Sequence, residues 1–118
     1  MPLNEADTCR VYVTPKLQAV GWDTSPHSLA EQRVFTDGRV LTASGKPRRG
    51  EKKRADYLLH YTRDFMIAVV EAKSEGEAVG TGMQQAKDYA EVLGLKFAYA
   101  TNGHEILEFD YILSLIHI

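Results

Sequence analysis

Asp56 and, fifteen residues later, Glu71 and Lys73 are the residues of this chain whose types and spacing could do chemistry. Glu71-Ala72-Lys73 closes the apolar run Met66 to Val70, and Asp56 lies inside Arg54-Ala55-Asp56-Tyr57-Leu58-Leu59. Two paired strands carrying these segments would put two carboxylates and one ammonium at neighbouring ends. Two acidic oxygen ligands can hold Mg²⁺, and an ammonium beside them offsets charge developing on a phosphate. Such a set suits phosphodiester hydrolysis. The competing reading is a surface hairpin with ordinary acids and a lysine. The apolar run leading into Glu71 speaks against it, although Asp…Glu-x-Lys by itself arises readily by chance.

Positioning such a set requires strands and helices in a definite order. Residues 4–21 read as a helix. Asn4 can cap it, Glu5 and Asp7 suit the positive end of the helix dipole, and Pro15 predicts a kink. Gly21 is a plausible terminator, and an irregular stretch with Trp22 and Pro26 follows. Arg33-Val34-Phe35 and Arg39-Val40-Leu41 flank Asp37-Gly38, which predicts a tight hairpin. Ala43 to Lys53 carries serine, glycine, proline and many charges and reads as a mobile loop. Residues 54–61 and 65–72 read as strands, the second covered on both faces. Alternation puts Ala55, Tyr57 and Leu59 on one face of the first, and Asp56, Leu58 and His60 on the other. A helix is expected over Met83–Leu93 with Met83, Ala86, Ala90 and Leu93 inward, ending at Gly94. Lys96–Ala100 and Glu105–Tyr111 complete the strands.

Bulk properties narrow the class. At 118 residues the chain is one domain, taken as residues 1–111. The apolar tail 112–118 reads as a truncation or a junction with unrelated sequence. No apolar run approaches a membrane span, the N-terminus is unlike a secretory signal, and the lone Cys9 fits a reducing cytoplasm. No spacing of cysteine or histidine suggests zinc. The formal net charge is −2, yet residues 46–54 hold six of the fourteen basic residues and one acid. Lys46, Arg48, Arg49, Lys52, Lys53 and Arg54 could follow a phosphate backbone, which carries affinity without sequence information.

Several longer segments carry a resemblance. These are Asn4-Glu5-Ala6-Asp7-Thr8, Pro15-Lys16-Leu17, Gly21-Trp22, Arg54-Ala55-Asp56-Tyr57, Val70-Glu71-Ala72-Lys73, Gly80-Thr81-Gly82-Met83-Gln84-Gln85-Ala86, Tyr89-Ala90 and Ala100-Thr101-Asn102-Gly103. With them the chain resembles the PD-(D/E)xK nuclease superfamily, and more narrowly the N-terminal nuclease domain of type I restriction enzyme R subunits. The resemblance implies an α/β fold, a restriction-endonuclease-like αβββαβ core whose mixed central sheet is flanked by helices. It implies Asp56 and Glu71 as Mg²⁺ ligands (Mn²⁺ as a substitute) and Lys73 as the catalytic lysine, and the strand alternation adds the Ala72 carbonyl as a further donor to the same ion. Gln85 and Tyr89 match a Gln-x-x-x-Tyr element, Gln85 reaching toward the site and Tyr89 supporting the helix or touching DNA. Glu31 is a further candidate metal acid. Ala55 stands where the superfamily's name has proline. Implied partners are double-stranded DNA and the modification and specificity subunits, with ATP acting only through a motor absent from this sequence. The alternatives are a catalytically idle DNA-binding or assembly module of the same fold, or a stand-alone repair or mobile-element nuclease.

Overall fold

The computed structural model describes residues 3–36, 39–41, 47–49, 52–113 and 115–117, with the side chains of 36, 39–41, 47–49, 52 and 115–117 left aside. Helical structure opens the chain as α1 (Glu5–Thr8), a π-helical turn (Cys9–Val13) and α2 (Thr14–Ala19). Asn4 caps it by accepting the Asp7 N–H at 2.8 Å. The expected disturbance at Pro15 takes the form of π winding: the Thr14 N–H reaches back five residues to the Cys9 carbonyl. Proline has no N–H to give the Val11 carbonyl and its ring would crowd it, and a wider turn relieves both.

Six strands form one sheet in the order β1 (Ser28–Thr36), β4 (Lys52–Thr62), β5 (Phe65–Ala72), β6 (Phe97–Thr101), β7 (Ile106–Asp110), β8 (Leu115–His117). Only the β5–β6 pair is parallel. Its crossover runs through a 3₁₀ turn (Val79–Gly82) and α3 (Met83–Leu93). The sheet is therefore mixed and flanked by helices, as expected.

Two local expectations are corrected. Arg33, Val34 and Phe35 do not form a hairpin with 39–41; they pair with Ala55, Arg54 and Lys53 of β4. A short separate ribbon forms instead between β2 (Arg39–Leu41) and β3 (Pro47–Arg49). Asp37 and Gly38 lie outside the described residues. The nine-residue β1 gains more from the long β4 than from a local turn, because that pairing buries Ala30 and packs Phe35 beside Ala55, Leu58 and Val69. The loop expected over 43–53 likewise contains β3 and the first residues of β4.

Layering follows alternation. Tyr57, Leu59, Ala68, Val70 and Ala72 face the helical segment, with Val13, Cys9 and Leu17 packed on them. Leu58, Val69 and Ala98 face α3 and meet Ala86 and Ala90. Val69 is fully buried, worth about 1.5–3 kcal/mol for a side chain of its kind. Ala55 departs from the pattern and joins the Leu58 side. The backbone pairing between β1 and β4 skips the neighbouring Gln32–Asp56 step, so alternation is not maintained there. At the other edge, Asp110 Oδ1 accepts the Ile112 and Leu113 N–H groups and turns the chain from β7 into β8. Ile112 and Leu113 are exposed.

The end of α3 matches the sequence expectation. Gly94 takes a left-handed φ of +69°, and the Leu95 N–H returns to the Ala90 carbonyl at 2.8 Å. No atom lies within 4 Å of a Cβ placed on Gly94, so a substitution there tests the backbone alone. Gly94→Ala should cost about 1–2 kcal/mol and lower the melting temperature by roughly 5 °C, read by thermal unfolding followed by circular dichroism.

Candidate active site

β4 and β5 pair from Thr62 and Phe65 as far as Tyr57 and Val70. At the next step the two strands exchange side chain for backbone. The Asp56 N–H donates to Glu71 Oε2 at 2.8 Å, and the Ala72 N–H donates to Asp56 Oδ2 at 2.9 Å. The carboxylates thus take over the ladder where it ends, and both line one cleft. This cleft of about 350 Å³ is lined from the sheet by Lys53, Arg54, Asp56, Glu71, Ala72 and Lys73. α3 contributes Gln85 and Tyr89, and α1 contributes Glu5.

Glu71 is only 2% exposed. Burial, and after it the negative charge of Asp56, push its carboxyl up to about 8. Lys73 continues β5 beyond its last residue, its N–H bonded to the Thr101 carbonyl at 2.8 Å. Its stem runs against Gly82, where a Cβ would lie 3.3 Å from Lys73 Cγ and 3.4 Å from Cε. Glycine at that position leaves the lysine its path into the cleft. On α3, four-residue spacing stacks Gln85 over Tyr89, and Gln85 Nε2 donates to Tyr89 Oη at 2.7 Å. The Tyr89 ring meets Phe35 of β1 edge-on at 5.0 Å. Tyr89 therefore braces α3 against β1 while its side chain lines the cleft.

The cleft brings together Asp56, Glu71, Ala72, Lys73, Gln85, Tyr89, Lys53 and Arg54 from the residues singled out in the sequence. Glu31 is placed differently. It is exposed, accepts the Thr14 hydroxyl at 2.9 Å, and lines an adjoining cavity that reaches Asp56 but neither Glu71 nor Lys73. Thr14 in turn bonds the buried Tyr57 hydroxyl at 2.7 Å, tying that glutamate to the core. Lys46 lies outside the described residues, as do the side chains of Arg48, Arg49 and Lys52.

Two participants escaped sequence reading. Glu5 looked like an ordinary acid at a helix start, yet it lines both cavities, and partial burial and the charge of Asp56 raise its pKa. It is held there by a clasp distant in sequence. Glu75 accepts the Leu3 N–H at 2.9 Å, donates its own N–H to the Leu3 carbonyl at 3.0 Å, and meets His104 Nε2 at 2.6 Å. The other is Gln32, whose Nε2 donates to Asp56 Oδ1 at 3.2 Å. Glu5 lies in one of the segments that carry the resemblance, though its type there suggested only a helix start, and no local motif announces Gln32. The Cys9 thiol is raised to about 11, chiefly by burial, which leaves it a packing residue.

Among the described residues, no three His, Cys, Asp or Glu side chains converge as a metal cage. The donor set is instead two carboxylates, Asp56 partly exposed and Glu71 buried, whose hard oxygens are the kind that suits Mg²⁺. The oxygen donors that line the cleft are of the type that fits that ion. Among the same residues, no helix is long and apolar enough to cross a membrane.

Comparison with known proteins places the chain in a family. Residues 23–110 match the family model described as "Type I restriction enzyme EcoKI endonuclease subunit second domain". Over 101 residues the chain is 36% identical to the type I restriction enzyme EcoAI endonuclease subunit of Escherichia coli, covering 86% of this chain and 12% of that protein. A solved fragment of an HsdR subunit of a type I restriction enzyme from Vibrio vulnificus YJ016 superposes with a TM-score of 0.85 at 69% identity. That likeness covers 99% of this chain and 23% of the solved one. Three layers of α/β structure, a carboxylate pair beside a lysine and these three likenesses lead to one assignment: the chain belongs to the family of type I restriction enzyme endonuclease subunits.

Proposed function

We propose that this chain is a Mg²⁺-dependent DNA endonuclease unit of PD-(D/E)xK type, working within a type I restriction enzyme. The single observation that carries the reading is the reciprocal pairing of Asp56 and Glu71 across the parting strands, with Lys73 in the same cleft. Asp56 and Glu71 would hold the ion, with the Ala72 carbonyl as a further oxygen donor. Bound there, Mg²⁺ supplies a polarised phosphoryl oxygen and an acidified water. Lys73 offers its ammonium to the charge that develops on the scissile phosphate. Gln85 stands where its amide can orient a water or a phosphate oxygen, and Tyr89 fixes the height of that amide through their shared hydrogen bond. Glu5 adds negative charge from α1, and Arg54 adds positive charge from β4.

Double-stranded DNA is the substrate this arrangement suits. The basic segment Lys46, Arg48, Arg49, Lys52, Lys53 and Arg54 precedes Asp56 in the chain, so phosphate contacts along it would lead a backbone to the carboxylates. Base recognition would come from modification and specificity subunits, and ATP would act through a motor elsewhere in the assembly. A cytoplasmic setting follows from those partners.

The decisive experiment is nicking of supercoiled plasmid with Mg²⁺. Lys73→Ala should slow cleavage by about 10²–10³-fold, and Asp56→Ala should abolish it at low Mg²⁺. Equal cleavage by the wild type and both variants would sink the assignment.

The raised pKa of Glu71 also makes a stability prediction in EDTA. Below about pH 4.5 the carboxyl is protonated whether the chain is folded or unfolded, so it costs nothing. Between about 4.5 and 8 the folded state keeps a proton that the unfolded state has released. Stability therefore falls with rising pH through that window, by at most about 1.4 kcal/mol per pH unit. Glu71→Gln should melt progressively higher than the wild type from pH 5 to pH 8. A gap independent of pH would show that Glu71 is not held in this state.

A further inference from the structure

β1 is extended from Ser28 to Thr36 except at Gln32, whose φ is +50°. Among the described residues it is the single non-glycine in the left-handed region. A residue with a side chain is strained there and persists only where its surroundings hold it. The strained step lies directly opposite Asp56: pairing runs Glu31 with Tyr57, then Arg33 with Ala55, and the step between is missing. In a regular strand Glu31 and Gln32 would point to opposite faces. Here both line the one cavity that also holds Glu5, Arg54 and Asp56.

The turned side chain has a definite destination. Gln32 Nε2 donates to Asp56 Oδ1 at 3.2 Å, while Oδ2 takes the Ala72 N–H at 2.9 Å. An aspartate's terminal torsion is broad, so a carboxylate held through one oxygen can still swing. Hydrogen bonds on both oxygens stop it. We infer that Gln32 is a positioning residue whose amide fixes the orientation of the Asp56 carboxylate, and that the left-handed backbone at 32 serves to aim it. This role rests on the reading of Asp56 as a Mg²⁺ ligand. An amide is well suited to it, because it donates without bringing a positive charge that would compete with the cation. A lysine or arginine at 32 would instead neutralise the carboxylate.

The test compares wild type, Gln32→Ala and Gln32→Gly by melting in EDTA and by calorimetric titration with Mg²⁺. It adds the side-chain amide resonances of Gln32 in the wild type and in Asp56→Ala. Glycine accepts a positive φ and alanine does not, so Gln32→Gly should melt above Gln32→Ala by about 4 °C. Both variants lack the amide, so both should lose Mg²⁺ affinity by the same factor, about tenfold. Affinity would then fail to follow stability, as it would not if Gln32 merely supported the strand. Unchanged Mg²⁺ affinity in both variants overturns the inference. If the wild type binds no Mg²⁺, the metal reading fails on its own and the amide resonances decide. A shift on Asp56→Ala upholds the positioning contact, and resonances that stay in place overturn it.

Discussion

Where β4 and β5 stop pairing, two backbone N–H groups would be left without partners near the middle of the sheet, and the carboxylates of Asp56 and Glu71 accept them. The rest of the molecule is arranged around that exchange. Buried backbone donors must be satisfied, so the strands can part only if something polar takes over. Using acidic side chains for the purpose brings two carboxyl groups close together in a poorly solvated place, where they resist being charged at once. The raised Glu71 carboxyl is the cost of this arrangement, and a divalent cation would relieve it. One constraint thus accounts for both the ending of the ladder and the chemistry proposed at it.

Small residues let the helices close over this opening. Ala86 and Ala90 of α3 are fully buried against Ala98 and Val69, so the helix lies near the sheet and carries Gln85 and Tyr89 over the cleft. Gly82, just before α3, leaves the stem of Lys73 its path. On the opposite face the π turn before Pro15 and the clasp between Leu3 and Glu75 set the start of the chain, and with it Glu5, at the cleft's rim. Elements far apart in sequence therefore meet within one side chain's reach of Asp56. That is the arrangement expected of a site assembled on a rigid scaffold.

Much of this was legible in the residues themselves. The Met66–Val70 run, the 3.6-residue pattern of Met83, Ala86, Ala90 and Leu93, and Gly94 after them all act locally, and the structure places those elements where they were expected. Asp56, Glu71, Lys73, Gln85 and Tyr89 were equally visible and do meet in one cleft. The hairpin expected at Asp37-Gly38 was a local signal overruled by a distant partner: Arg33, Val34 and Phe35 pair with β4, where Phe35 packs against the core. Glu31 fitted the expectation of an extra acid by type, but Thr14 holds it in the neighbouring cavity.

By itself, then, the sequence determined the strand and helix periods, the termination of α3 and the identity of the chemically able residues, because each depends on neighbours within a few positions. Only the tertiary structure decided which of those residues share a cleft, that Glu5 joins them, and that Gln32 is turned out of its strand toward Asp56. The reason is physical. The N-terminal helix, β1, β4 and β5 bring residues 5, 32, 56 and 71 together through hydrogen bonds and packing across long chain separations. Such contacts leave no periodic trace in any one segment. The opening pair of Asp56 and Glu71 could be named from spacing, but the way each holds the other's strand could not.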